Sequence, residues 1–142
     1  MSAYNVVSIA GSDPSGGAGV QADLKSFSAH GVFGMTVVTA LTAQSTRGVT
    51  GVHGVPASFV TDQMDTLFTD ATVHAVKVGM LSTSEVTEAV AAAVDRYALP
   101  NVVVDPVMVA KSGDRLLERS AIEALRTVLL PRADLLTPNL PE

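Results

Sequence analysis

Short β-branched runs alternate along this chain with longer stretches whose apolar residues recur every three or four positions. Residues 6–10 (VVSIA), 35–43 (MTVVTALTA), 75–78 (AVKV), 102–104 (VVV) and 135–137 (LLT) read as strands. Residues 20–30 read as a helix, with Val20, Leu24 and Phe27 on one stripe and Gly31 as its stop. A second helix is expected over 56–71, where Pro56 suits the first turn and Val60, Met64, Leu67 and Ala71 share a face. The third, over 82–97, carries a capping box at Ser82 and Glu85. Its expected buried face is Val86, Ala89, Val90, Ala93, Val94 and Tyr97. Another box at Ser120 and Glu123 opens a fourth, with Leu125, Val128 and Leu129 as its stripe before Pro131.

Strands separated by amphipathic helices predict βαβ units, hence an α/β fold with a mainly parallel sheet covered by helices on both faces. Ligands bind such sheets beyond the carboxyl ends of the strands. The polar residues there are Gly11-Ser12-Asp13, Gln44-Ser45-Thr46, Gly79-Met80, Asp105-Pro106 and Thr137-Pro138-Asn139.

Composition narrows the reading. The 142 residues suffice for one domain with a real core, and 47% of them are hydrophobic, which argues against disorder. A net charge of −5 makes a nucleic-acid-binding face an unfavourable reading. The absence of cysteine removes disulfides, thiolate metal sites and a cysteine nucleophile from this chain, and fits a cytoplasmic setting. The first basic residue is Lys25, so no secretory leader is expected, and no apolar run approaches the ~20 residues of a membrane span. The histidines His30, His53 and His74 share no ligand spacing, so neither metal binding nor catalysis is assigned to them.

The glycine-dense stretch "AGSDPSGGAGVQADLK" (10–25) joins the first strand to the first helix. Residues 17–22 match G-x-G-x-x-A, the dinucleotide fingerprint, but "SDPSG" separates the match from the strand. Gln44, rather than an acid, ends the second strand. No G-x-x-x-x-G-K-[ST] occurs, so a Walker A loop is excluded.

That stretch, with "TALTAQST", "VKVGMLS", "VVDPVMVAKSGDRLL" and "LLTPNLPE", resembles the successive motifs of the bacterial hydroxymethylpyrimidine/phosphomethylpyrimidine kinases of thiamine biosynthesis. These belong to the ribokinase-like superfamily, beside the pyridoxal kinases. The resemblance covers essentially the whole chain in order. It implies a three-layer αβα sandwich and transfer of the γ-phosphoryl of ATP to an aminopyrimidine alcohol, then to its monophosphate. Members of the family are about twice as long as this chain. Their C-terminal half carries the glycine-rich anion hole, the catalytic base and most of the ATP pocket. Residues 1–142 therefore read as the N-terminal portion of one kinase domain, with no catalytic residue assigned here. The full-length enzyme is expected to be a homodimer. A pyridoxal kinase and a non-catalytic pyrimidine-binding fragment are the alternative readings.

By resemblance, Gly11, Asp23 and Gln44 surround the pyrimidine, with Met80 and Val107 packed on its ring. The Gln44 amide carries a donor beside an acceptor, the complement of a 4-aminopyrimidine edge. The plainer alternatives are a Gln44 bonded to backbone, an Asp23 that serves the helix dipole, and core roles for Met80 and Val107. Asp105, after an apolar strand and before Pro106, is placed to hold Mg²⁺ through water, or is a turn acid. Glu142 and Asn139 complete the superfamily's N-x-x-E motif at the next strand end and are expected to organise Mg²⁺ and the ATP phosphates. Lys111, in a polar loop, either neutralises phosphate charge or is solvated.

Overall fold

Because successive side chains of a strand point to opposite faces, a run buried on both faces must be sandwiched between other elements. The computed structural model describes residues 4–108, 117 and 119–142 and shows how these runs are covered. Strand β1 (Asn5–Ala10) leads through the glycine loop into helix α1 (Gly19–Ala29) and strand β2 (Phe33–Val38). Strands β3 (Ala40–Ser45) and β4 (Gly48–Gly54) follow, then α2 (Ala57–Asp70), β5 (Ala75–Val78), α3 (Ser84–Arg96) and β6 (Val102–Val104). Helix α4 (Arg119–Ala124) runs on through a wide turn, Leu125–Leu129, and a tight one, Leu130–Arg132, into β7 (Leu135–Leu136). Five strands pair in parallel in the order β2-β1-β5-β6-β7, and β3 and β4 form a separate antiparallel ribbon.

One face of the sheet carries the core. Val7, Ile9, Val37, Val76, Val78, Val102 and Val104 pack with Val60 and Met64 of α2, with Val86, Val90, Ala93 and Val94 of α3, and with Ala121, Leu125 and Leu129 beyond. Each large side chain fully buried this way contributes roughly 1.5–3 kcal/mol. The other face is covered by α1, which packs on β1 and β2 through Val20, Leu24 and Phe27. Gly34 lies beneath it: a Cβ there would stand 2.7 Å from Leu24 Cδ2 and 3.0 Å from Phe27 Cδ2. With α1 on one face and α2, α3 and α4 on the other, this is the αβα sandwich expected from the alternating pattern.

Three local expectations are corrected. The stretch 35–43 is not one strand. It breaks at Thr39, whose N–H donates to Ala10 O and whose hydroxyl donates to Met80 O at 2.6 Å. The chain then leaves the sheet as β3 and returns as β4, a strand the sequence reading did not assign. The cap of α3 is Thr83, whose Oγ1 accepts from Val86 N at 3.3 Å, and not Ser82. Ser82 instead takes a left-handed conformation (φ 73°), which takes the chain out of β5 into the helix. Ser120 lies inside α4, one residue after its start, so the box with Glu123 does not cap it.

Candidate active site

Strand β1 feeds a crossover toward β2, and β5 feeds one in the opposite direction toward β6. Between adjacent strands whose connections diverge, a crevice opens at the carboxyl ends. Here it is a cleft of about 720 Å³ lined by the glycine loop, the inner side of α1, the β3–β4 ribbon and the ends of β5 and β6.

The glycine loop is shaped by one acid. Asp13, 2% exposed, accepts from Ser15 N (2.8 Å) and Ser15 Oγ (2.6 Å) at one carboxylate oxygen, and from Gly17 N (3.0 Å) and Ala18 N (2.8 Å) at the other. Burial alone would raise its pKa. The hydrogen bonds from Ser15, Ala18 and Gly17 together outweigh that and hold it below the ordinary value. Gln21 Oε1 accepts from Asp13 N at 2.7 Å and fastens the loop to α1. At Gly19 (φ 58°) a Cβ would come within 2.3 Å of Gly11 O, which accepts from Val20 N at 3.0 Å. The glycines thus let the start of α1 close onto the end of β1.

The ribbon is tied to the same loop. Ser12 N donates to Ala40 O (2.8 Å) and Thr42 Oγ1 to Ser12 O (2.8 Å). Thr42 and Gln44 alternate inward along β3 into the cleft, while the partner strand β4 takes up an extra residue, Thr50, between Gly51 and Val49. Gln44 Oε1 lies 3.2 Å from the Thr42 hydroxyl, whose single proton already has the closer Ser12 O. Among the described residues the Gln44 amide nitrogen donates to nothing and the side chain bonds to no backbone atom. The side chain thus lines the cleft with its amide nitrogen unspent among the described residues.

Gly11, Asp23, Gln44, Met80 and Val107, the five residues singled out for a ring, all line this cleft. Met80 is 8% exposed and lies over Gly11, where a Cβ would be 2.6 Å from Met80 Cε, so Gly11 makes room for it. Asp23 does not serve the helix dipole, since α1 has no acid in its first turn; it is paired with Lys77 at 3.0 Å and accepts from Ser8 Oγ at 2.6 Å. Lys77, also in the cleft wall, was missed by sequence reasoning, because a lysine alternating with valines in "AVKV" reads as a solvent-facing strand position.

Asp105 lies in the cleft wall, its N–H donating to Val78 O at 2.9 Å. Burial raises its pKa, Lys77 lowers it, and the charges of Glu142 and Asp23 raise it again, with an upward net effect. Its carboxylate takes no hydrogen bond among the described residues. Glu142 and Asn139 stand beside the cleft and not in its wall. Glu142 Oε1 accepts from Met108 N (3.3 Å), and Glu142 Oε2 accepts from Asn139 N (3.2 Å). Asn139 Oδ1 accepts from Glu142 N at 3.1 Å in return. Among the described residues no group of three or more acids, histidines or cysteines is arranged to hold a metal. Two carboxylates, one unpartnered and both near β6, suit a water-rich ion such as Mg²⁺, which takes only one or two carboxylates from a protein. Lys111 lies outside the described residues. His74 is spoken for locally, its Nδ1 accepting from Asn5 N at 3.0 Å. No helix of the described residues is long and apolar enough to cross a membrane.

Residues 13–142 match the family model described as phosphomethylpyrimidine kinase. The chain is 54% identical over its whole length to the hydroxymethylpyrimidine/phosphomethylpyrimidine kinase of Escherichia coli, of which it covers 53%. A crystal structure of phosphomethylpyrimidine kinase from Clostridium difficile superposes with a TM-score of 0.92 at 46% identity, covering 98% of this chain and 60% of that one. The pyridoxal kinase of Staphylococcus aureus, solved with AMP-PCP and pyridoxal, gives a TM-score of 0.84 at 35% identity, over 99% of this chain and 49% of that one. The chain spans about half the length of the curated relatives it matches.

Proposed function

Since the chain belongs to the phosphomethylpyrimidine kinase family, we propose that its cleft is the substrate side of an ATP-dependent kinase acting on 4-amino-5-hydroxymethyl-2-methylpyrimidine and its monophosphate. The observation that supports this reading is the Gln44 amide in the cleft wall, its donor unspent among the described residues, in the same cleft as Asp23. An aminopyrimidine offers a ring nitrogen to the donor of Gln44 and an amino group to an acceptor. Met80 and Val107 supply apolar surface for the ring. A ring without that edge leaves a buried amide unpaired, which costs about 1–3 kcal/mol.

Phosphoryl transfer is mainly positioning and charge neutralisation. Asp105 and Glu142 would hold a hydrated Mg²⁺, which supplies neutralisation of the ATP phosphates. Asn139 keeps Glu142 in place through their paired hydrogen bonds. Residues 1–142 form the N-terminal portion of one ribokinase-like domain in this reading. The catalytic base and the anion hole belong to the remaining half of the longer relatives, and the complete kinase works as a cytoplasmic homodimer. Asp105→Asn in the chain completed by that half is expected to lower turnover and raise the Mg²⁺ concentration needed. Binding of the aminopyrimidine alcohol without nucleotide stays unchanged. An unaltered magnesium titration assigns Asp105 to the turn alone.

Pyridoxal is the competing substrate, because pyridoxal kinases share the fold at 35% identity. ADP formation measured in parallel with the aminopyrimidine alcohol and with pyridoxal separates the two. The expected outcome is a higher kcat/KM for the aminopyrimidine, and a preference for pyridoxal reverses the assignment.

A further inference from the structure

Lys77 sits in the middle of the sheet, on β5, in register with Ser8 of β1 and Val103 of β6. Ser8 and Lys77 therefore share the face beneath α1, and Asp23 descends onto them from that helix. The Lys77 ammonium lies 3.0 Å from Asp23 Oδ1 and 3.0 Å from Oδ2, while Ser8 Oγ donates to Oδ2 at 2.6 Å. The side chains of Lys77 and Asp23 are 25% and 15% exposed, and both meet the cleft. Gly79 leaves room for the ammonium, since a Cβ there would stand 3.3 Å from Lys77 Nζ and 3.0 Å from Ala10 Cβ.

The two oxygens of Asp23 are thus unequal. Oδ2 accepts from Ser8 and Lys77 and is fully engaged, whereas Oδ1 accepts from Lys77 alone and keeps one acceptor position. A donor touching both oxygens also fixes the plane of the carboxylate, which a single hydrogen bond from Ser8 would leave free to turn.

We propose that Lys77 is a positioning residue for substrate selection: it locks the Asp23 carboxylate so that Oδ1 faces the cleft as the acceptor for the ring amino group. Selectivity for an amino-bearing ring then rests on the Lys77–Asp23 pair together with Gln44. This rests on the aminopyrimidine reading above. Lys77 does not touch the reacting hydroxyl in this scheme; its charge also acts on Asp105, an effect common to every alcohol, so its part in ring recognition is read from the ratio between two alcohols.

The test uses the chain completed by the remaining half of a relative, with two alcohols: the 4-aminopyrimidine and its analogue lacking the 4-amino group. The unsubstituted enzyme tests the underlying reading, which fails if the two alcohols have equal kcat/KM. Where the enzyme does discriminate, Lys77→Met is expected to raise KM for the aminopyrimidine about 10- to 100-fold, the size of a charge-assisted hydrogen bond, while any change in kcat is shared by both alcohols. KM for the deamino analogue stays where it was. Asp23→Asn is expected to give the same loss, and the double variant no more than either alone. Lys77→Arg, which keeps the charge and reaches the same carboxylate, restores part of the discrimination. Lys77→Gln, which removes the charge but keeps a polar side chain, carries the test if Lys77→Met does not fold. The proposal is overturned if Lys77→Met, or Lys77→Gln in its place, leaves the discrimination ratio intact or weakens both alcohols equally.

Discussion

Asp13 shows how much one side chain can hold. Its carboxylate is almost dry, yet four donors from Ser15, Gly17 and Ala18 keep its pKa below the ordinary value. A folded-state pKa lower than the unfolded one means that the unfolded chain takes up the proton first as pH falls. The stabilisation is complete above about pH 4, the ordinary range of the group, and disappears as pH drops through the folded-state value. Asp13→Asn is accordingly expected to lose about 1–3 kcal/mol at neutral pH and to flatten the acid limb of stability in urea melts at several pH values. Gln44→Ala is expected to weaken aminopyrimidine binding by about 1–3 kcal/mol in calorimetry while nucleotide affinity holds. Asp105 follows β6 as the sequence suggested, whereas Gln44, expected at a strand end, lies inside β3 of the separate ribbon and reaches the cleft from there. Lys77 was not legible in the sequence, since its partner Asp23 lies 54 positions away on α1 and only the packing of that helix over the paired β1 and β5 brings them together.

Among the elements, those whose period and punctuation agree were read closely: β5 and β6 occupy the expected residues, and α1 and α2 fall within a residue of theirs. The errors lie where tertiary hydrogen bonds decide. Nothing in "MTVVTALTA" marks a break, because it holds no glycine, proline or other turn residue; Thr39 ends β2 by bonding to Ala10 and Met80. The cap of α3 moved one residue because Ser82 is needed in a left-handed conformation. The glycine loop resembles a dinucleotide turn, but its backbone closes on Gly11 O instead. Gly19→Ala is therefore expected to cost at least about 1–2 kcal/mol from the left-handed backbone alone, with the 2.3 Å contact adding to it. Gly54→Ala, where a Cβ meets nothing within 4 Å, is the matched control, and thermal denaturation compares them.

For the molecule as a whole, the sheet of the described residues ends at β7, whose Leu135 and Leu136 are 57% and 43% exposed, and α1 packs mainly on β1 and β2 on its face. The longer relatives have as much chain again to place. The purified 142 residues are expected to show no ATP-dependent phosphorylation of the aminopyrimidine, since losing even one preorganised donor of an anion hole costs about 10²–10³ in rate. Turnover should return when the remaining half of a relative is supplied, fused or as a second chain. Measurable turnover by residues 1–142 alone would place the whole catalytic apparatus in this half. Gln44 rides on the β3–β4 ribbon, outside the main sheet, whereas Asp105 is fixed to β6 within it. In the function proposed above, the ribbon thus adds to ring choice from outside the sheet that carries Asp105. Substitutions on the exposed face of the ribbon are expected to shift the preference between alcohols while the magnesium titration stays as it was.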